Sequence, residues 1–290
     1  MLVARTLWMS HTEIEDLPDG VFGNVSFQEM RLEGNRNLRR IHPNALLPSK
    51  DRLEILIMTT CHLIDFPFEI IPELKALKEL HLNWNYLTNV PMINSNSLEK
   101  LILWGNQITY LEDQSGWSMP NLKAFYLGEN TFLMELPLML VVTMQNLTRM
   151  ELHGNQFGPE LPERFLEFNS PALQFLALHV NSISSLEPGA ITGLVPDTFI
   201  NLGQNVIEEL HEASFRPMVE ILAQGTGSLD LHGNPLSCWC DLAWLVTNEV
   251  LRPKVTGTCK SGTRLEDLDP QFFEDLCFPE NKGDESDISL

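Results

Sequence analysis

The 290-residue chain sets 19 Lys and Arg against 39 Asp and Glu, a formal charge of −20. Nucleic-acid binding rests on neutralising phosphates with basic side chains, and docking on anionic lipid needs the same chemistry, so the balance argues against both. The apolar share of 43% is that of a globular protein, and the most apolar run, residues 132–144, is too short to span a bilayer and is broken by Glu135 and Pro137.

The first twenty residues contain no uninterrupted apolar segment of the secretory type. Four of the five cysteines nevertheless cluster late in the chain, at Cys238, Cys240, Cys259 and Cys277. A clustered even number points to two disulfides and an oxidising compartment. Two sequons, Asn24-Val25-Ser26 and Asn146-Leu147-Thr148, mark Asn24 and Asn146 as candidate glycosylation sites. The reading is a secreted, extracellular glycoprotein. No cysteine precedes Cys61 and the repeats described next begin almost at Met1, so the expectation is a start that lacks its leader and its N-terminal cap.

From the N-terminus onward, the pattern L-x-x-L-x-L-x-x-N-x-L recurs ten times. Its clearest copy is Leu77, Leu80, Leu82, Asn85, Leu87. The Asn position is held in turn by Thr12, Asn35, Cys61, Asn85, Asn106, Asn130, Asn155, Asn181, Asn205 and Asn234, at intervals of 21 to 29 residues. This periodicity predicts an α/β leucine-rich repeat solenoid: one short strand per repeat, a parallel concave sheet, an irregular convex side and a core of inward leucines that no repeat could bury alone. None of the 18 prolines falls between the first Leu and the Asn of any copy, as a hydrogen-bonded parallel sheet requires. Two copies are weak, the first with Thr12 at the Asn position and the ninth with Asp197 where Leu is expected. The longest interval, before Asn234, carries Gly225-Thr226-Gly227 and predicts a distorted loop. Cys61 reads as a small buried structural thiol.

The repeats occupy residues 1–236, and a cysteine-rich cap is expected over residues 237–279. Its spacing is C-x-C-x18-C-x17-C, wide gaps that suit zinc poorly, and the four cysteines by themselves allow three disulfide connectivities. Residues 241–250 have helical periodicity, with Leu242, Leu245 and Val246 available to cover the last repeat. Residues 280–290 read as an acidic, disordered tail. Residues 265–290 carry nine acids against one lysine, so much of the net charge lies at this end.

Along a strand side chains alternate, which assigns the third, fifth, seventh and eighth positions of each copy to the concave face. These positions hold Trp8, Trp84, Trp104, Tyr126, Phe175 and Phe199, together with five of the eight histidines. Aromatic side chains on a rigid sheet suit a protein-binding hot spot. The expected partner-binding set is Trp84, Trp104, Tyr126, His81, Ile102, His153, Phe175 and His179. His153 and His179 fall in one column on adjacent repeats, which raises pH sensing or a shared metal, with solvated surface histidines as the plainer reading. No G-x-S-x-G elbow, phosphate loop, H-E-x-x-H or EF-hand pattern occurs. No catalytic residue, metal site or cofactor is therefore assigned.

Two resemblances add to this. Around Asn234-Pro235-Leu236-Ser237-Cys238-Trp239-Cys240-Asp241 the chain resembles the cysteine-rich C-terminal flanking domain of extracellular leucine-rich repeat proteins. That likeness implies pairing Cys238 with Cys259 and Cys240 with Cys277. The runs Phe22-Gly23-Asn24-Val25-Ser26-Phe27, Phe66-Pro67-Phe68-Glu69-Ile70 and Gly116-Trp117-Ser118-Met119-Pro120, with residues 42–53, resemble crustacean secreted leucine-rich repeat proteins named after the Oplophorus-luciferin 2-monooxygenase non-catalytic subunit. This resemblance is concentrated in residues 20–130. It implies a non-catalytic extracellular protein whose partner is a protein ligand or, alternatively, a secreted enzyme subunit of a luciferase-like monooxygenase complex.

Overall fold

A computed structural model describes residues 2–112 and 116–278; the expected tail at 280–290 lies outside them. Ten short strands, one per repeat, form a single parallel sheet. They are β1 (Leu2–Trp8), β2 (Val25–Arg31), β3 (Ile55–Ile57), β4 (Glu79–His81), β5 (Lys100–Ile102), β6 (Ala124–Tyr126), β7 (Arg149–Glu151), β8 (Phe175–Ala177), β9 (Phe199–Asn201) and β10 (Ser228–Asp230). Each pairs with the next in strict register, as in Leu80 opposite Leu101 and Phe125 opposite Met150. An eleventh strand, β11 (Val255–Thr256), is supplied by the cysteine-rich segment and pairs with β10. The chain is a leucine-rich repeat solenoid.

The repeat pattern acts through two kinds of buried residue. Leu80, Leu82, Leu101, Leu103, Leu152 and their counterparts have essentially no exposed surface, and each buried leucine contributes about 1.5–3 kcal/mol. The asparagines, buried except for the half-buried Asn181, link neighbouring repeats. Asn130 donates to the carbonyls of Leu103 (3.2 Å), Leu127 (3.0 Å) and Gly128 (3.1 Å), and its Oδ1 accepts the Ile108 N–H at 3.1 Å. Cys61 replaces one asparagine: its Sγ donates to the Leu32 carbonyl at 2.6 Å, as Asn85 Nδ2 donates to that of Met58 at 2.7 Å. Burial pushes the Cys61 thiol up to about 11, so it is an unreactive structural group.

At the eighth position the simple alternation fails. His11, Gly34, Thr60, Trp84, Gly105, Glu129, Gly154, Val180, Gln204 and Gly233 all have left-handed backbone, with φ between +52° and +78°. The chain turns off the sheet there, at a cost of about 1–2 kcal/mol wherever the residue carries a Cβ. All ten repeats share the conformation, so it belongs to the turn and does not by itself mark a site.

On the convex side the short helix α1 (Pro43–Leu46) and a 3-10 segment at Phe68–Glu73 keep their prolines outside the sheet. The 29-residue interval before Asn234 departs from the loop expected there. Its largest element is the helix α2 (Glu212–Leu222), whose Phe215, Met218, Val219 and Leu222 are buried. Gly225-Thr226-Gly227 lies in the turn after this helix and is tied back by Asp197, whose carboxylate accepts the Thr226 N–H at 2.8 Å. The helix over residues 241–250 is shorter than its periodicity suggests, since only α3 (Ala243–Val246) is α-helical. Leu242, Leu245 and Val246 are buried, and Trp244 joins them with its Nε1 donating to the Leu210 carbonyl at 2.9 Å. Disulfides join Cys238 to Cys259 and Cys240 to Cys277, the second holding α4 (Pro270–Cys277) with its buried Phe273 against this end. No helix among the described residues is long and apolar enough to cross a membrane.

Candidate functional site

The concave sheet presents three columns, the third, fifth and seventh positions of the repeats, and the eighth-position side chains lean in from its border. Trp84 is one of these. Its indole lies over the next repeat's Gly105, where an added Cβ would come within 2.5 Å of the ring. That lean brings Trp84 to a ring-centroid distance of 6.4 Å from Trp104, which in turn lies 6.3 Å from Tyr126 and 6.2 Å from His153. His153 and His179 stack at 4.7 Å, 5° from parallel. The expected residues Trp84, Trp104, Tyr126, His153 and His179 thus form one continuous ring network with Trp104 at its centre.

The contact between Trp104 and His153 skips a repeat. The seventh position between them is Gly128, and the His153 ring fills the space its side chain would take: an added Cβ would lie 2.7 Å from the ring. Sequence reasoning passed over Gly128 and Gly105 because it looked for side chains, and here the missing side chain lets the neighbours meet. The available signal was a glycine at a face position beside ring-bearing residues of the neighbouring repeats, Trp84 before Gly105 and Trp104 and His153 on either side of Gly128.

His81, Ile102 and Tyr126 are cross-strand neighbours in the fifth column. Phe175 stands beside the network, 5.6 Å from Phe199, and the Arg149 guanidinium stacks over its ring at 3.8 Å. Arg149 also pairs with the largely buried Glu151 at 2.6 Å, which holds the cation flat on the sheet. Neither Arg149 nor Glu151 stood out by residue type. At the other end Trp8 is highly exposed on the edge strand β1, away from the network.

The histidine pair is not a chelate. Parallel stacked rings aim their in-plane lone pairs in parallel rather than at a common point, and the described residues contain no group of three or more His, Cys, Asp or Glu able to hold a metal ion. Nδ1 of both rings is buried and lacks a hydrogen-bond partner among the described residues. Burial holds His179 below the ordinary histidine range; the neighbouring His153 adds to this, and Glu151 and Asp230 oppose it. Burial likewise lowers His81, against the hydrogen bond that its Nε2 gives to the Glu79 carboxylate.

A histidine with a folded-state value below its unfolded one is protonated more readily in the unfolded chain, so native stability is complete above about pH 6.5 and declines as pH falls below it. We expect the melting temperature to drop between about pH 6.5 and 5, and to drop less in a His179→Gln variant. Parallel melting curves for the two proteins would remove His179 from the account.

Asn24 and Asn146 are both exposed. The Asn146 side chain donates to the Pro120 carbonyl at 2.9 Å.

No family model matches the chain. It is 29% identical over 269 residues to the Oplophorus-luciferin 2-monooxygenase non-catalytic subunit of Oplophorus gracilirostris, covering 91% of this chain and 73% of that protein. The likeness therefore runs well beyond residues 20–130. Trophoblast glycoprotein of Mus musculus is 30% identical over 201 residues, 64% of this chain. Podocan-like protein 1 of Mus musculus is 28% identical over 157 residues, 54% of this chain. The chain spans 44% of the former's length and 27% of the latter's. Among solved structures, the leucine-rich repeat domain of FLRT2, in an octameric complex with Latrophilin 3 and Unc5D, superposes with a TM-score of 0.70 at 19% identity, over 91% of this chain and 81% of that one.

Proposed function

We propose that this chain, whose homologues are the Oplophorus subunit and other leucine-rich repeat proteins, is a non-catalytic extracellular module that recognises a protein partner through its concave face. The observation that carries this is the ring network on the concave sheet in which Trp104 meets Trp84, Tyr126 and His153, and His179 stacks on His153. Large flat side chains held in place by neighbours lose little freedom on binding, which is what hot spots need. Two disulfides suit an oxidising compartment, and the exposed Asn24 and Asn146 are offered as glycan sites.

A second reading follows from one relative. The Oplophorus protein is by name a non-catalytic subunit of a luciferin monooxygenase, so the partner here would be a secreted enzyme of that kind. Stoichiometric co-purification with an enzyme distinguishes this reading from a free-standing recogniser. For either partner, captured from the secreted fluid of the source, Trp104→Ala is expected to weaken binding by about 30-fold, the scale of a central hot spot, with an unchanged circular dichroism spectrum. Affinity equal to that of the unmodified chain would move the site off the concave face.

A further inference from the structure

The convex side carries a second, independent opening. Four parallel pairs of two-residue strands lie outside the main sheet among the described residues, two of them Asn89–Val90 with Tyr110–Leu111 and Glu160–Leu161 with Ser185–Leu186. The repeat between them should supply the connecting strand at residues 134–138. It does not: among the described residues no backbone hydrogen bond joins that segment to the strands on either side. The ladder is interrupted, and among the described residues each flanking strand has a partner on one edge only.

A cleft of about 360 Å³ fills the interruption, lined by Tyr110, Leu111, Met134, Leu138, Leu161 and Phe165. One wall of it, residues 134–138, belongs to the most apolar run of the sequence. Leu133, Leu140, Val141 and Met144 of that run are buried, whereas Met134 and Leu138 are each 63% exposed. Single exposed apolar residues are ordinary, but several converging on a cleft mark an interaction site. The charge of the lining is one-sided. Glu135 and Glu160 belong to it and no base does. Glu135 has no partner among the described residues, and Glu160 meets only the Ser185 hydroxyl at 3.2 Å.

We propose that this gap receives an extended segment of a partner protein in which apolar side chains alternate with lysine or arginine. The open strand edges meet its backbone, the cleft takes its apolar side chains and the two glutamates take its cations. A strand's period of two places apolar groups on one face and basic groups on the other, matching an apolar floor with an acidic rim.

The test uses the full chain and a fluorescein-labelled eight-residue peptide alternating leucine and lysine, followed by fluorescence anisotropy. Saturable binding is expected, together with at least about ten-fold weakening by Met134→Asp and, separately, by Leu138→Asp. Both positions are exposed, so neither change threatens the fold. Both changes make the chain more acidic, so attraction to its overall negative charge would tighten binding instead. A peptide with glutamate in place of lysine is expected not to bind. Unchanged or tighter binding by the two variants, or equal binding of the glutamate peptide, would overturn the proposal. So would concentration-dependent self-association that Met134→Asp abolishes, since a second copy would then fill the gap.

Discussion

Replacing Asn130 by alanine is expected to lower the stability of the chain by about 3–4 kcal/mol. The carbonyls of Leu103, Leu127 and Gly128 each keep another donor, from Asn106, Asn155 and the Gly105 N–H respectively. The N–H of Ile108 has no such reserve. It gives its hydrogen bond to Asn130 Oδ1, and Ile108 is completely buried. One orphaned buried donor costs about 1–3 kcal/mol, and the lost amide bonds with the small cavity supply the remainder. Urea denaturation measures the difference. Thr12, half-buried at the same position of the first repeat, donates to Asn35 Oδ1 and supports no interior strand, so Thr12→Ala should cost less than about 1 kcal/mol. Equal losses for the two variants would mean that the asparagine column does not bind the repeats together.

Removing the Cys240–Cys277 disulfide by a double alanine substitution is expected to cost a similar amount. The bond closes a separation of 37 residues, and constraining a loop of that length stabilises the folded state by about 4 kcal/mol. The Cys238–Cys259 bond closes 21 residues and should be worth about 3 kcal/mol. The effects should also differ in place. Without Cys240–Cys277, α4 and its buried Phe273 lose their covalent tie while β11 keeps its pairing to β10. Without Cys238–Cys259, the bridge between Leu236 and Cys259 loses its clamp and the edge of the sheet is exposed. Amide hydrogen exchange separates the two: β10 and β11 should lose protection in the second variant and retain it in the first. Identical exchange patterns would mean that the region unfolds as one unit.

The repeat core and the site were not equally legible. Spacing located every strand of the sheet except β11, because each repeat must bury the same positions against its neighbour and so repeats the same residues. β11 is two residues long and follows no leucine pattern; the sheet recruits it because an open edge beside β10 is costly to leave unpaired. The helix α2 was missed for a related reason. Its 11 residues include Pro217, and the turn signal at Gly225-Thr226-Gly227 dominated the reading of that interval, although its buried positions follow a helical period. In the candidate site the aromatic residues were visible one by one, Trp104, Tyr126 and Phe175 through the period of two and Trp84 through its place before the asparagine.

What the sequence determined by itself is the periodic part: ten strands, their inward leucines, their asparagine turns and the residues available to the concave face. A short-range rule, repeated, needs no knowledge of distant contacts. Tertiary structure decided how those residues meet. The backbone turns left-handed before each asparagine and swings Trp84 across Gly105; the empty position at Gly128 lets His153 reach Trp104 across a repeat. It also decided that the outer ladder breaks at residues 134–138, leaving Met134 and Leu138 at the surface. Both outcomes depend on the space between repeats, which is set by side chains about 20 to 30 residues apart in the chain.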